Sequence, residues 1–120
     1  MRVDQYYQFV MGMPEATEGF PFGPDVAVFK VRAKMFATLN VDEPPYRTNL
    51  KCDPERAQDL RDTYAGIRPG YHMNKKHWNT IELDSDVPVR LIRELVEHSY
   101  ELVVKTLPKA VQRDLGSPSE

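Results

Sequence analysis

The residues best suited to chemistry stand together in Gly70-Tyr71-His72-Met73-Asn74-Lys75-Lys76-His77-Trp78-Asn79-Thr80. This run holds two lysines, two histidines, two asparagines, a tyrosine and the only tryptophan of the chain. No acid interrupts it. Lys, Asn and His are mostly exposed residue types, so this is not core-forming sequence. Tyr and Trp are large apolar groups, so it is not an ordinary solvated loop either. Basic donors mixed with aromatic planes suit a surface that touches a partner. Nucleic acid offers phosphates to the first and bases to the second.

Charge elsewhere supports that reading. Lys30, Arg32 and Lys34 form one acid-free stretch, Arg47 and Lys51 a second, and Arg68, Lys75 and Lys76 a third. Together they hold eight of the sixteen basic residues. The acids gather at Asp53, Glu55, Asp59 and Asp62, and again at Glu94, Glu97 and Glu101. The net charge is −2, so the chain is no polyanion binder by bulk charge. Any such site must come from local segregation, with loops of a sheet facing one way and acidic helices the other. The same lysines also serve as strand-edge residues that discourage edge pairing.

Catalytic signatures are missing. There is no Gly-rich phosphate loop, no Gly-x-Ser-x-Gly elbow and no paired-cysteine zinc pattern, so no enzyme activity and no cofactor is expected. His72 and His77 are five apart, which suits neither a helical nor a strand pair of metal ligands. Glu82, Asp84 and Asp86 read as a solvated turn and a helix cap, so no metal is expected. Cys52 is the single cysteine and cannot close an intrachain disulfide, which fits a reducing cytoplasm. It reads as a buried, inert thiol at a strand end, and His98 as a structural residue at the edge of the last helix. No apolar run approaches the roughly 20 residues that span a bilayer, and the N-terminus is not a signal peptide. A soluble, cytoplasmic monomer is expected.

The elements that must position these residues follow from the chain pattern. At 120 residues it reads as one domain, 1–109, with a flexible tail over 110–120. Residues 2–11 predict a helix stopped by Gly12 and Pro14. Residues 15–25 read as a short strand or extended loop pinned by Phe20 and Phe22. Strands are predicted over 26–31 and 35–41, joined by a turn at Arg32-Ala33-Lys34. A third spans 46–52, with Thr48, Leu50 and Cys52 on one face and Asn49 and Lys51 on the other. Asp53-Pro54-Glu55 starts a helix that runs to about Tyr64, with Ala57, Leu60 and Tyr64 inward. Residues 67–70 read as a turn-bearing connector and 77–83 as a strand. The last helix is capped by Asp86 or Val87. It carries Leu91, Ile92, Leu95, Val96, Leu102, Val103 and Leu107 in one stripe, until Pro108 ends it. Ser99 lies inside the stripe, where a small residue permits close packing. The order argues for an α+β fold, an antiparallel sheet with helices on one face and the other face partly open.

Several segments carry a resemblance to a known family. They are Phe22-Gly23-Pro24-Asp25, Val28-Phe29-Lys30-Val31, Lys34-Met35-Phe36-Ala37, Leu50-Lys51-Cys52-Asp53-Pro54, the run 68–80, Ser99-Tyr100-Glu101-Leu102-Val103-Val104 and Leu107-Pro108. Over these the chain resembles the MmcQ/YjbR family of small bacterial proteins. It departs at Arg32-Ala33, where relatives often have glycine. The resemblance implies a fold similar to bacterial frataxin (CyaY-like). It also implies DNA binding through a double-wing motif, with Arg32-Ala33-Lys34 and Asn74-Lys75-Lys76 as wings. Frataxin-type iron binding needs a dense acidic ridge on the first helix, and here that helix offers only Asp4.

On the DNA reading the partner is double-stranded DNA. Lys30, Arg32, Lys34, Lys51, Arg68, Lys75 and Lys76 contact phosphates. Tyr71, His72, His77 and Trp78 stack or hydrogen-bond, and Asn74 and Asn79 reach base edges. The alternative is a small-ligand or protein-partner module, with Trp78, Tyr71, Phe22 and Arg68 lining a pocket and lysines capturing an anionic group. A third reading is structural: Trp78 and Tyr71 complete the core and the lysines face solvent.

Overall fold

The computed structural model describes residues 1–115. In chain order the elements are α1 (Val3–Met11), β1 (Thr17–Gly19), β2 (Val26–Val31), β3 (Lys34–Asn40) and β4 (Arg47–Lys51). Then come α2 (Pro54–Thr63), β5 (Ile67–Pro69), β6 (Trp78–Glu82), α3 (Val89–Val104) and α4 (Lys109–Leu115). The six strands form one sheet ordered β1-β2-β3-β4-β6-β5, and every neighbouring pair is antiparallel. The first three helices pack on one face of it. The architecture is the α+β sheet with one-sided helices that the sequence pattern predicts.

That arrangement follows from two periodicities. Along α3, Ile92, Leu95, Val96, Ser99, Tyr100 and Val103 recur at helical spacing and are buried. Along β4, Thr48, Leu50 and Cys52 are buried while Arg47, Asn49 and Lys51 are not. Tyr6 and Val10 of α1 join Phe29, Leu39, Leu50 and Ile81 in the core between the layers. The Tyr6 hydroxyl is hydrogen-bonded to that of Thr48. Burial pushes its phenol well above the usual range.

A β-bulge interrupts the alternation. Phe29 pairs with Ala37 but Lys30 pairs with Met35, so Phe36 is an extra residue. Phe36 and Ala37 are therefore both buried in the core, and the Phe36 ring meets Tyr100 edge-on at 5.3 Å. Ser99 serves the backbone beside the bulge. Its hydroxyl donates to the Phe36 carbonyl at 2.6 Å and accepts the Lys51 N–H at 2.9 Å. The small residue in the stripe is a hydrogen-bonding bridge as well as a close contact.

Four sequence expectations are corrected. First, the β2–β3 turn is two residues long and Lys34 already belongs to β3. Arg32 (φ 49°) and Ala33 (φ 67°) both have positive φ, as a type I′ turn requires. A left-handed non-glycine residue is strained, so Ala33→Gly should raise the unfolding free energy by about 0.5–1 kcal/mol in urea titrations. Second, residues 67–69 form the edge strand β5; Pro69 fits there because one side of an edge strand has no ladder bonds to lose. Third, Asp86 does not cap α3, whose N-cap is Pro88 with no side-chain cap. The Asp86 carboxylate instead accepts the N–H groups of Ala65 and Gly66, each at 2.8 Å, and these bonds hold it below the usual carboxylate range. Fourth, the stretch expected as a flexible tail begins inside α4, and Asp114 pairs with Arg32 at 2.6 Å. Residues 116–120 lie outside the described residues.

Asp53 caps α2 as predicted, accepting the Arg56 N–H at 3.2 Å. The Asp53 N–H donates in turn to His98 Nε2 at 3.2 Å. Burial, aided by Arg56, lowers the His98 pKa from 6.5. The native state therefore prefers the neutral ring. Below about pH 6.5 the unfolded chain takes the proton first and stability falls until the pH passes the native value. Urea midpoints should drop between about pH 7.5 and about pH 5, and His98→Gln should flatten that slope.

Candidate functional site

Among the described residues, no helix packs on the sheet face opposite α1, α2 and α3. Arg68, Thr80, Asn49 and Thr38 lie in register across it on β5, β6, β4 and β3. Arg47 stands two residues from Asn49 on β4. Two loops rise over this face from opposite edges. The β1–β2 loop carries Phe22, 75% exposed, and the β5–β6 loop carries Tyr71, 68% exposed. Between them is a cleft of about 830 Å³. Val26, Met35, Thr38, Asn49 and Thr80 line it below, with Phe22, residues 42–45 and residues 71–73 around it. The aromatics expected to pin residues 15–25 do not pack inward; Phe20 and Phe22 are both exposed.

Several polar groups around the cleft are already engaged. The Asn40 amide donates to the Glu43 carbonyl at 3.0 Å and the Pro45 carbonyl at 3.2 Å, and its oxygen accepts the Arg47 N–H at 2.5 Å. Asn40 thus holds the 42–45 loop. Thr80 accepts the Tyr71 N–H at 2.9 Å and donates to Asn49 Oδ1 at 2.5 Å. Among the described residues, the side-chain donors on this face without a protein partner include the guanidinium groups of Arg47 and Arg68 and the amide NH₂ of Asn49. Their hydrogen-bonding capacity faces the cleft unspent.

The basic-aromatic run divides into scaffold and surface. Gly70 N–H donates to the Trp78 carbonyl at 2.8 Å, closing the loop. The Asn74 side chain accepts the Lys76 N–H at 3.0 Å, and its carbonyl accepts the Trp78 N–H at 2.9 Å. Lys75 Nζ turns back onto the Gly70 carbonyl at 3.0 Å, while Arg61 donates to the Lys75 carbonyl at 3.2 Å. Asn79 is 2% exposed on the helix side, donating to the Ala57 carbonyl at 3.3 Å, so it cannot reach a base edge. Trp78 is half-buried opposite Lys51, outside both cleft and core cluster. Arg32, assigned to a phosphate, instead clamps Glu15 at 2.7 Å and Asp114 at 2.6 Å. Those bonds push its pKa higher still.

Of the residues expected to touch nucleic acid, the cleft gathers Arg68, Tyr71 and His72. His72 has positive φ (59°), and its ring lies against Tyr71 at 3.9 Å between centroids. Lys34 and Lys76 are exposed elsewhere, and Lys30, Lys51 and His77 are half-exposed. Of the pocket residues expected for a ligand module, Phe22, Tyr71 and Arg68 line the cleft and Trp78 does not. The face is not uniformly basic either, because Asp25, Asp42 and Glu43 also line the cleft. Sequence reasoning missed Arg47, Asn49, Thr38 and Thr80 as site residues. Strand alternation was the available signal, since it separates Arg47 and Asn49 from buried Thr48 and Leu50.

Cys52 is buried, and burial pushes its thiol up to about 11, as suits an inert cysteine. Among the described residues no three His, Cys, Asp or Glu side chains group as a metal site, and no helix is long and apolar enough to cross a membrane.

Comparison with known proteins places this geometry among relatives. The sequence profile of a family described as YjbR matches residues 11–102. Uncharacterized protein YbdF of Escherichia coli O157:H7 is 38% identical over 94 residues, covering 78% of this chain and 77% of that protein. Uncharacterized protein YjbR of Escherichia coli K12 is 33% identical over 109 residues, covering 91% and 92%. The crystal structure of Deinococcus radiodurans protein DR2400, with domain DUF419, superposes with a TM-score of 0.90 at 42% identity, over 97% of this chain and 88% of that one. A Pseudomonas syringae crystal structure gives 0.76 at 31% identity, over 86% and 99%.

Proposed function

The chain belongs to the YjbR family, and we propose that the cleft on its free sheet face binds a small anionic ligand. One observation carries this reading: the guanidinium groups of Arg47 and Arg68 are both uncommitted and both line the same cleft. Standard sheet spacings put their Cα atoms ~12 Å apart, two strands over and two residues along, within reach of one anion for two extended arginines. A guanidinium is the side chain that matches carboxylate or phosphate geometry. The cleft volume falls in the range usual for small-molecule sites. No Ser, Cys or Lys lines it, and the proposed role is binding, not catalysis. Calorimetric titration with inorganic phosphate should give saturable binding that Arg68→Ala or Arg47→Ala weakens at least about tenfold. Binding indifferent to both changes would place the anion elsewhere.

Duplex DNA is the second reading, and one feature favours it. Ala37 pairs with Leu50 and Lys51 with Trp78, so the β2–β3 turn and the β5–β6 loop lie at the same end of the sheet. Lys34 and Lys76 are exposed wing lysines without a protein partner among the described residues, whereas Lys75, also exposed, bonds to the Gly70 carbonyl. On this reading, duplex affinity falls with salt at a log–log slope of about −0.9 per phosphate contact and depends on Lys34 and Lys76. Two facts make it the weaker reading: Arg32 and Lys75 are engaged by other groups of the protein, and three carboxylates line the cleft on the same sheet face.

A further inference from the structure

The two arginines account for the anionic group of a ligand, and two aromatic rings that border the same cleft point to its body. We infer that the cleft takes a flat aromatic anion, a ring system of one or two cycles bearing a phosphate or a carboxylate. The inference rests on the cleft being an anion site and adds the chemistry of the ligand body.

Phe22 and Tyr71 are the two most exposed large apolar side chains among the described residues, at 75% and 68%. Both stand at this one cleft, on loops from opposite edges of the sheet. Exposed apolar groups that converge in this way mark an interaction site more than chance surface composition. Tyr71 is also pre-positioned. Its N–H is fixed on Thr80, its neighbour Gly70 is closed onto Trp78, and the His72 ring lies against its own. A ring held in place loses little freedom when a second ring stacks on it.

The floor narrows the choice further. Val26 and Met35 offer apolar surface, while the Thr80 hydroxyl and the Asn40 amide are saturated within the protein. The free donors at the cleft include Arg47, Arg68 and the Asn49 NH₂, and the carboxylates of Asp25, Asp42 and Glu43 stand there as acceptors. A flat apolar body with acceptors concentrated at one end matches what is left. The carboxylates of Asp25, Asp42 and Glu43 oppose a second anionic group, so one acidic end fits better than a polyanionic strand.

The test compares ligands that differ in one property. Inorganic phosphate, cyclohexyl phosphate and phenyl phosphate are titrated into the full chain, with benzoate and cyclohexanecarboxylate as the carboxylate arm. Phenyl phosphate should bind about tenfold or more tighter than inorganic phosphate, the scale one stacked ring supplies, and tighter than cyclohexyl phosphate. Benzoate should likewise exceed cyclohexanecarboxylate if the acidic group is a carboxylate. Tyr71→Ala and Phe22→Ala, both at exposed positions, should shrink the phenyl-to-inorganic ratio, whereas Arg68→Ala should weaken both ligands together. Equal affinity for phenyl and cyclohexyl compounds, or a ratio that survives loss of both rings, overturns the aromatic inference and leaves the anion site standing. No binding by any of the five overturns the anion site, and the aromatic inference with it.

Discussion

Ser99→Ala should lower the unfolding free energy by about 2–4 kcal/mol and the thermal midpoint by about 10 °C. Ser99 is fully buried, and its hydroxyl joins two strands at the point where their own ladder stops. The last β3–β4 pair before the bulge is Ala37 with Leu50. Beyond it, Lys51 N–H and the Phe36 carbonyl have Ser99 as the partner they share. Alanine removes that oxygen and leaves a donor and an acceptor without a partner in a dry interior, each a cost of about 1–3 kcal/mol. The bland alternative is that a small residue is needed there only for space, in which case alanine fits as well as serine. Urea titration separates the two, and faster amide exchange at Lys51 would locate the damage. Thr63→Ala is the control, since that exposed hydroxyl bonds within its own helix to Asp59; it should change stability by less than about 0.5 kcal/mol. A loss of that same size at Ser99 would sink the bridging role.

Gly70→Ala should do most harm to the site. A Cβ at residue 70 would lie 2.8 Å from Trp78 Cβ, 2.9 Å from the Trp78 carbonyl oxygen and 3.0 Å from Met73 Cβ. All three atoms are backbone or Cβ atoms, which cannot swing aside. The loop must shift, which breaks the Gly70–Trp78 closure and moves Tyr71 and His72 off the cleft. Overpacking of this kind costs about 1–3 kcal/mol. The larger consequence is an anion affinity lowered at least about tenfold, because the ring opposite Phe22 is no longer where the cleft needs it. Gly19→Ala supplies the comparison: a Cβ there meets only Pro21 Cδ at 4.0 Å. If both variants bind phosphate and phenyl phosphate like the parent, the loop closure does not shape the site.

The sheet and its helices were legible because their signals are local. The stripe of α3, the cap at Asp53 and the alternation of β4 each sit within a few residues of one another. What escaped was decided at long range. Arg32 looked like a free wing cation, yet its partners Glu15 and Asp114 are 17 and 82 positions away, and no local pattern links them. Asp86 preceded a helix and looked like its cap, but the N–H groups it satisfies belong to the residues after α2. The bulge at Phe36 was hidden because a run of apolar residues gives no sign of where its parity changes. The basic-aromatic run divides its residues between scaffold and surface in a way composition does not reveal. Asn74 and Lys75 fasten the loop from within, Asn79 faces the helices, and Tyr71, His72, Met73 and Thr80 join Arg68 at the cleft. Composition shows which groups a segment contains, but the direction in which each one points is set by closure and register.

The one-sided layering has a consequence for how such a chain can change over time. Along β4, Thr48 and Leu50 keep company with the helices, while Arg47 and Asn49 look onto the cleft. Neighbouring positions therefore meet different demands, one set by the packed layer and, on the proposed reading, one set by a ligand. A lineage can trade cleft residues at alternate positions for a new ligand without disturbing the layer that keeps the sheet intact. Recognition becomes a replaceable surface on an inherited frame, and family members with the same architecture need not share a ligand.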